Sequence, residues 1–276
     1  MPIEPSHVDR WLREDLGHHD VTNDVPGEAT GRLVATESGV AAGIEPAARV
    51  FGALDASAEP LVEAGDPVEP GEAVLRVAGP ARAVLRAERV AVNVAGHASG
   101  VATRTREALR RAAAATEDPP AVAATRKTTP GLRGVEKRAV AAAGGDTHRL
   151  DLSHMVMVKD NHIAELGLES AVERFRDRAS FATNVEVEAG SPAMAARAAE
   201  AEADIVLLDN MTPETTRRAV DRTPNDVLTE ASGGIGIADV GPYATTGVDV
   251  VSLGALTHSA PALDYSFRVR GGAAPE

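Results

Sequence analysis

Cysteine is absent from the 276 residues, which excludes disulfides, thiolate-bound zinc, iron–sulfur clusters and thiol nucleophiles together. Aromatic residues make up 3% of the chain. The core must therefore be built from Val, Leu and Ala, and stacking platforms for single-stranded nucleic acid cannot be made in number. Positive charge is in deficit: 41 Asp and Glu against 28 Lys and Arg leave a net charge of -13. Such a field repels nucleic acid and anionic membranes, so neither is expected as a partner, and any anion has to be met by a local basic pocket. No apolar run approaches the length of a membrane span, and the opening MPIEPSHVDRWLRED has no signal-peptide core. A soluble, cytoplasmic protein is expected. The acid excess, with arginine in place of nearly all lysine, also suits a halophilic, high-salt cytosol.

Lysine is the scarcest charged residue, and where it stands is informative. Lys127 and Lys137 fall with Arg126 and Arg133 inside TRKTTPGLRGVEK, residues 125 to 137, and Lys159 follows shortly after. An acidic chain that gathers its cations in one stretch is expected to hold an anion there.

Residues 5 to 16 have helical spacing of Val8, Trp11, Leu12 and Leu16. Residues 31 to 40 read as a strand, EPAARVFGALD as a helix, and EAGDPVEPGEAVLRVAG as short antiparallel strands, so the first hundred residues form an α+β unit. From Arg82 to about Ala115 the spacing is helical, with two glycines in AGHASG that signal a break or a close approach of another segment. Thereafter the apolar runs AVAAT, HMVMVKD, NVEVEAG, DIVLLDN, DVLTEASGG and VDVVSLGA alternate with helical stretches at 191 to 202, 213 to 220 and 236 to 246. That alternation predicts a parallel sheet with crossovers, closed or nearly closed into a barrel. Nearly every strand ends in a polar or glycine element, and barrel enzymes place their chemistry on the rim where such ends converge. The cations of 125 to 137 are expected on the same rim.

EASGGIG and SLGALTHS are paired glycine loops after the last two strands. Ser232, Gly233, Gly234 and Gly254 are candidates for a phosphate site, because glycine lets backbone N–H groups approach an anion closely; two ligand-free βα turns are the bland alternative. Glu188 and Asp209 end strands, with Glu186 two residues before the first. Two rim carboxylates suit a hydrated Mg²⁺, while helix capping by Asp209 or ordinary salt bridges would explain them equally. His148, Arg149, Lys159 and His162 come from GGDTHRLDLSHMVMVKDNHI. The spacing of the histidines is poor for zinc, and His162 reads as a hydrogen-bonded structural residue. Arg89 lies on a helix of the first unit, where a surface salt bridge is the default.

The chain resembles quinolinate phosphoribosyltransferases, also called nicotinate-nucleotide pyrophosphorylases (carboxylating). The resemblance runs nearly end to end through EDLGHHDVT, AERVAVNVAGHASGVAT, TRKTTPGLRGVEKRAV, HRLDLSHMVMVKDNHI, VEVE, LLDN, EASGGI and TGVDVVSLGALTHSAPALDYS. It implies an α/β fold with an N-terminal α/β sandwich, residues 1–103 rejoined by 262–276, and a TIM-like α/β barrel at 104–261. It also implies transfer of phosphoribose from phosphoribosyl pyrophosphate to quinolinate with Mg²⁺, giving nicotinate mononucleotide, carbon dioxide and pyrophosphate on the way to NAD. Arg126, His148, Arg149 and Lys159 would clamp the dicarboxylate, with Lys127 close to the pyrophosphate or pyridine. Glu188 and Asp209 would face the ribose and Mg²⁺, and Ser232, Gly233, Gly234 and Gly254 would hold the 5′-phosphate. Lys127, Lys159, Glu188 and Asp209 are the residues expected nearest the chemistry. Arg89 would come from the neighbouring subunit of a homodimer. Thr147, Asp151 and His154 depart from the family pattern, and Asp151 adds a negative charge beside the clamp. Competing readings are a relative that accepts nicotinate, a molybdate-transport-associated homologue, a lyase using Lys159 as a Schiff base, and a noncatalytic sensor.

Overall fold

The structure is a computed structural model and describes residues 2–271. Met1 and residues 272–276, parts of the expected first domain and its returning segment, lie outside the described residues. The chain begins with α1 (Pro5–Leu16), β1 (Glu28–Ala35), β2 (Gly39–Val40), α2 (Ile44–Gly52), β3 (Ser57–Pro60), β4 (Pro67–Val68) and β5 (Ala73–Pro80), then enters the long helix α3 (Ala81–Ala115). Next come β6 (Ala121–Ala124), α4 (Arg133–Ala142), β7 (Val156–Val158), α5 (Asp160–Leu166), α6 (Leu168–Arg176) and β8 (Val185–Ala189). After these lie α7 (Pro192–Glu200), β9 (Ile205–Asp209), α8 (Pro213–Val220) and β10 (Leu228–Ser232). A 3-10 turn (Ile237–Asp239), α9 (Val240–Ala244), β11 (Val250–Leu253), α10 (Ala255–His258) and β12 (Tyr265–Gly271) come last. The helix expected at 236 to 246 is thus split between a 3-10 turn and five α-helical residues.

The chain divides into two compact units. The first takes the residues up to Arg106, Thr129–Gly144 and the chain from Ser259 onward; the second takes Glu107–Thr128 and Gly145–His258. The segment 129 to 144, including α4, therefore groups with the first unit. This corrects the expectation for the basic stretch. Arg126 and Lys127 stay with the second unit, whereas Arg133 and Lys137 ride on α4 in the first, where Lys137 is 2% exposed.

In the first unit a four-stranded antiparallel sheet has the order β12-β1-β5-β3. Burial alternates along β1, with Ala29, Gly31 and Leu33 inward and Thr30 and Arg32 outward, because successive side chains point to opposite faces. The inward face meets α2 through Val50 and Phe51 and α3 through Val84, Ala87 and Ala91, with Leu75 and Val77 of β5 completing the cluster. The Phe51 and Phe267 rings stack at 5.5 Å. Burying each of these larger side chains contributes about 1.5–3 kcal/mol.

Helix α3 does not break at AGHASG. A Cβ on Gly100 would lie 1.9 Å from the Pro261 carbonyl oxygen, and one on Gly96 would lie 2.9 Å from that of Leu263. The Leu263 N–H donates to the Gly96 carbonyl at 2.9 Å. The glycines serve close approach of the returning chain, and the helix runs through them.

In the second unit six parallel strands have the order β6-β11-β10-β9-β8-β7. A single-residue parallel bridge between Ala123 and Asp146 extends the sheet beyond β6, giving an α/β barrel-like domain. Helices start where the sequence supplies caps: the Ser191 hydroxyl accepts from Met194 N–H, and Thr212 accepts from Thr215 N–H, each with proline at the next position. Because the strands are parallel, their carboxyl ends emerge on one side.

Candidate active site

On that side a cavity of about 530 Å³ is lined by residues from every strand end. Thr125, Arg126 and Lys127 follow β6, Lys159 follows β7, Glu188 and Asp209 stand at the ends of β8 and β9, Ser232, Gly233 and Gly234 at β10, and Gly254 after β11. His148 and Arg149, from the segment before β7, complete the wall. All the expected site residues but one therefore share a single cavity. The exception is Arg89, which lies on α3 in the first unit and does not line it.

The glycine loop after β10 is shaped by backbone sterics. Gly233 has φ 91, and a Cβ there would lie 2.6 Å from the Asn210 backbone nitrogen, so a larger residue would push β9 and the loop apart. Across the cavity, Lys127 is held by its backbone: its N–H donates to the Thr125 hydroxyl at 3.0 Å, and its carbonyl accepts from the Thr257 hydroxyl at 2.6 Å.

Asp209 is not spent on capping, since Thr212 caps α8; its Oδ2 accepts from the Asn210 side-chain amide at 2.6 Å. Glu188 pairs with Lys159, whose side chain is 48% exposed. Exposed and paired with a carboxylate, Lys159 lacks the desolvated surroundings that a Schiff-base lysine needs. His162 accepts the Lys159 N–H on Nδ1 at 3.0 Å and meets Phe175 edge-on, a structural role.

Deeper in the cavity the charges are less settled. His148 adopts φ 50, and its Nε2 lies 3.0 Å from Glu230 Oε2 and 3.8 Å from Glu186 Oε1. Burial lowers the imidazole pKa, but the two carboxylates outweigh it and push it up to about 9. Glu186 is fully buried, and burial raises its carboxyl to about 7 against the pull of His148. Among the described residues, buried polar atoms without a hydrogen-bond partner include both Glu186 oxygens, His148 Nδ1, Arg126 Nε and Arg149 Nε. Arg149 also sends one N–H to the Met157 sulfur at 2.8 Å. These orphaned donors make a wall suited to carboxylate or phosphate oxygens.

Two sets of side chains could hold a metal. The His148, Glu186 and Glu230 ligand atoms lie within 4.8 Å of one another. Arg149 brings positive charge close by and His148 already faces both carboxylates, so this set is poorly suited. Glu188 and Asp209 offer hard oxygens from adjacent strands at the open rim, the donor set that Mg²⁺ takes while keeping most of its water.

Family descriptions match both parts of the chain: the quinolinate phosphoribosyl transferase N-terminal domain over residues 19–99 and the C-terminal domain over residues 101–268. The chain belongs to the quinolinate phosphoribosyl transferase family. It is 46% identical over 274 residues to a protein of Methanothermobacter thermautotrophicus named "Probable nicotinate-nucleotide pyrophosphorylase (carboxylating)", covering 96% of this chain and 98% of the other. It is 41% identical over 266 residues to the nicotinate-nucleotide pyrophosphorylase (carboxylating) of Rattus norvegicus, covering 94% and 88%. The crystal structure of NadC from Streptococcus pyogenes superposes with a TM-score of 0.89 at 36% identity, covering 98% of this chain and 99% of that one.

Sequence reasoning about this transferase family member missed Glu230 and Ser252, and mentioned Glu186 only in passing. The available signal was an acid in the interior of a strand that is otherwise apolar or small. Glu186 and Glu188 are two apart on β8, as Glu230 and Ser232 are on β10. Each pair shares a face of its strand, so the deeper acid had to point the same way as the rim residue.

Proposed function

We propose that the chain transfers the phosphoribosyl group of phosphoribosyl pyrophosphate to quinolinate, with loss of the 2-carboxylate as carbon dioxide and release of pyrophosphate. The observation that carries this reading is one cavity with a deep cationic wall, two rim carboxylates and a glycine loop, in a chain whose net charge is -13. Its relatives are named for the same activity. Arg126, His148, Arg149 and Lys159 would receive the two carboxylates, the arginines by bidentate forks and His148 as an imidazolium. Lys127 would lie between the pyridine and the pyrophosphate. Ser232, Gly233, Gly234 and Gly254 would hold the 5′-phosphate on backbone N–H groups.

Departure of pyrophosphate leaves positive character on the anomeric carbon, and Glu188 and Asp209 would stabilise it electrostatically while the pyridine nitrogen attacks. Bound Mg²⁺ would supply charge neutralisation to the leaving group, held at Glu188 and Asp209. The quaternary nitrogen then accepts electron density from the departing carboxylate, so much of the chain's contribution is alignment of the dicarboxylate. We further propose a cytoplasmic homodimer in which Arg89 completes the neighbouring site, and a catalytic domain within 104–261, less the segment 129 to 144 that groups with the first unit, together with a sandwich formed by the chain up to 103 and the returning chain from 262.

The test is turnover by purified protein with Mg²⁺ and phosphoribosyl pyrophosphate, with quinolinate and nicotinate in parallel. Nicotinate mononucleotide and carbon dioxide are expected from quinolinate; product from nicotinate alone would overturn the reading.

A further inference from the structure

Glu230 touches two parts of the cavity that the proposed chemistry treats separately. One carboxylate oxygen, Oε2, lies 3.0 Å from His148 Nε2 in the cationic wall. The other, Oε1, accepts from the Ser252 hydroxyl at 2.5 Å. Ser252 in turn lies 2.8 Å from the hydroxyl of Ser232, in the glycine loop. Glu230 and Ser252 are 3% and 2% exposed and line the floor of the cavity. The strands explain the path: β11 is next to β10, and Ser252 stands two residues beyond Val250, the register partner of Glu230.

A serine hydroxyl has one proton. The short contact to a carboxylate claims that of Ser252, so the proton between the two serines is Ser232's. The chain thus runs Ser232 to Ser252 to Glu230 to His148. An anion that draws the Ser232 proton toward itself leaves the Ser252 oxygen without its donor, and Ser252, no longer polarised by that bond, becomes a weaker donor to Glu230. Other charged groups facing His148 are Glu186 from β8 and its neighbour Arg149, and neither reaches the loop serines through a hydrogen bond among those resolved.

We propose that Glu230 is a positioning residue that locks the His148 imidazole to the Ser232 loop through Ser252, so that occupancy of the anion loop is transmitted to the dicarboxylate wall. This rests on the phosphoribosyl-transfer reading for the identity of the two ligands, though the linkage itself can be tested without turnover.

Glu230→Gln and Ser252→Ala cut the path at different bonds. Glutamine can keep its oxygen on Ser252 while turning an N–H toward the imidazole, so E230Q should raise KM for quinolinate roughly tenfold, the effect of losing a charge-assisted hydrogen bond. KM for phosphoribosyl pyrophosphate at low quinolinate should change little, but its dependence on quinolinate should disappear, because coupling between two sites is reciprocal. Ser252→Ala should raise KM for phosphoribosyl pyrophosphate at low quinolinate by roughly threefold to tenfold and should likewise remove the dependence of each constant on the other substrate. A purely structural role would lower thermal stability and move both constants while leaving their mutual dependence intact, and that outcome overturns the proposal. Independently, inorganic phosphate titrated into protein carrying ¹⁵N-labelled histidine and glycine should shift the Gly233 and Gly234 amides and the His148 ring. Ser252→Ala should keep the first shift and lose the second. A His148 signal blind to phosphate, or one that still responds in the Ser252 variant, also overturns it. Failure of quinolinate turnover with the linkage intact would instead overturn the function reading alone.

Discussion

Two buried acids, each beside a histidine, stand in the two units with opposite environments. In the first unit Glu136 is fully buried and its oxygens are used: one lies 2.9 Å from His97 Nε2, and both accept the Thr129 N–H at 3.2 Å. Burial raises its pKa, yet these bonds outweigh it and hold the carboxyl below its ordinary value. In the second unit Glu186 is equally buried, has no hydrogen-bond partner on either oxygen, and is raised to about 7. A satisfied buried carboxylate ties down a loop. An unsatisfied one is a standing cost that packing alone would have removed, and it sits beneath the cavity.

The largest way to break this comparison is Glu136→Ala, which leaves His97 and the Thr129 N–H without their partner. We expect a loss of about 3–5 kcal/mol, the usual result of removing one member of a buried pair, read as a fall in the denaturant midpoint. Glu186→Gln should behave in the opposite sense, with stability at pH 8 equal to or above the parent. A destabilisation as large as that of the Glu136 variant would erase the distinction.

Acidity sharpens it further. Glu186, raised in the folded state, binds more protons folded than unfolded between its ordinary value of 4.5 and about 7, so its contribution falls as pH rises through that window. Glu136 has the opposite sign: its stabilisation is present above 4.5 and is lost as pH drops through its depressed value. His148, raised to about 9, stabilises below 6.5 and loses that contribution as pH climbs to 9. Denaturant melts across pH 3 to 10 should show all three limbs, with the 4.5-to-7 limb flattened in Glu186→Gln.

The smallest test compares neighbours at one corner. Thr212 caps α8 while Asp209 faces the cavity. Thr212→Ala should cost about 1 kcal/mol and leave kcat/KM unchanged, whereas Asp209→Asn should leave stability unchanged and lower kcat/KM at least about a hundredfold, the scale of one electrostatic stabiliser of the transition state.

Much of this was legible in the residues. The six strands of the barrel-like domain announced themselves as apolar runs with polar ends, and parallel pairing carried those ends to one cavity. What escaped depends on contacts distant in sequence. Nothing in TRKTTPGLRGVEK says that the chain from Thr129 onward groups with the first unit, because the packing that draws α4 there comes from residues distant in sequence. AGHASG gave two options, and only the backbone of 261 to 263 lying on Gly96 and Gly100 chose between them. Glu230 was hidden for a different reason: a strand-interior acid looks like an exposed position until the middle of the strand is known to be buried on both faces.

That crossing at Gly96 and Gly100 has a bearing on synthesis. Strand β12 pairs with β1 through seven residues, yet the whole second unit is translated between them. During translation the early sheet must therefore wait with β1 unpaired along one border, while the barrel-like unit is free to form first. A chaperone or a neighbouring nascent chain would meet that bare border before β12 arrives.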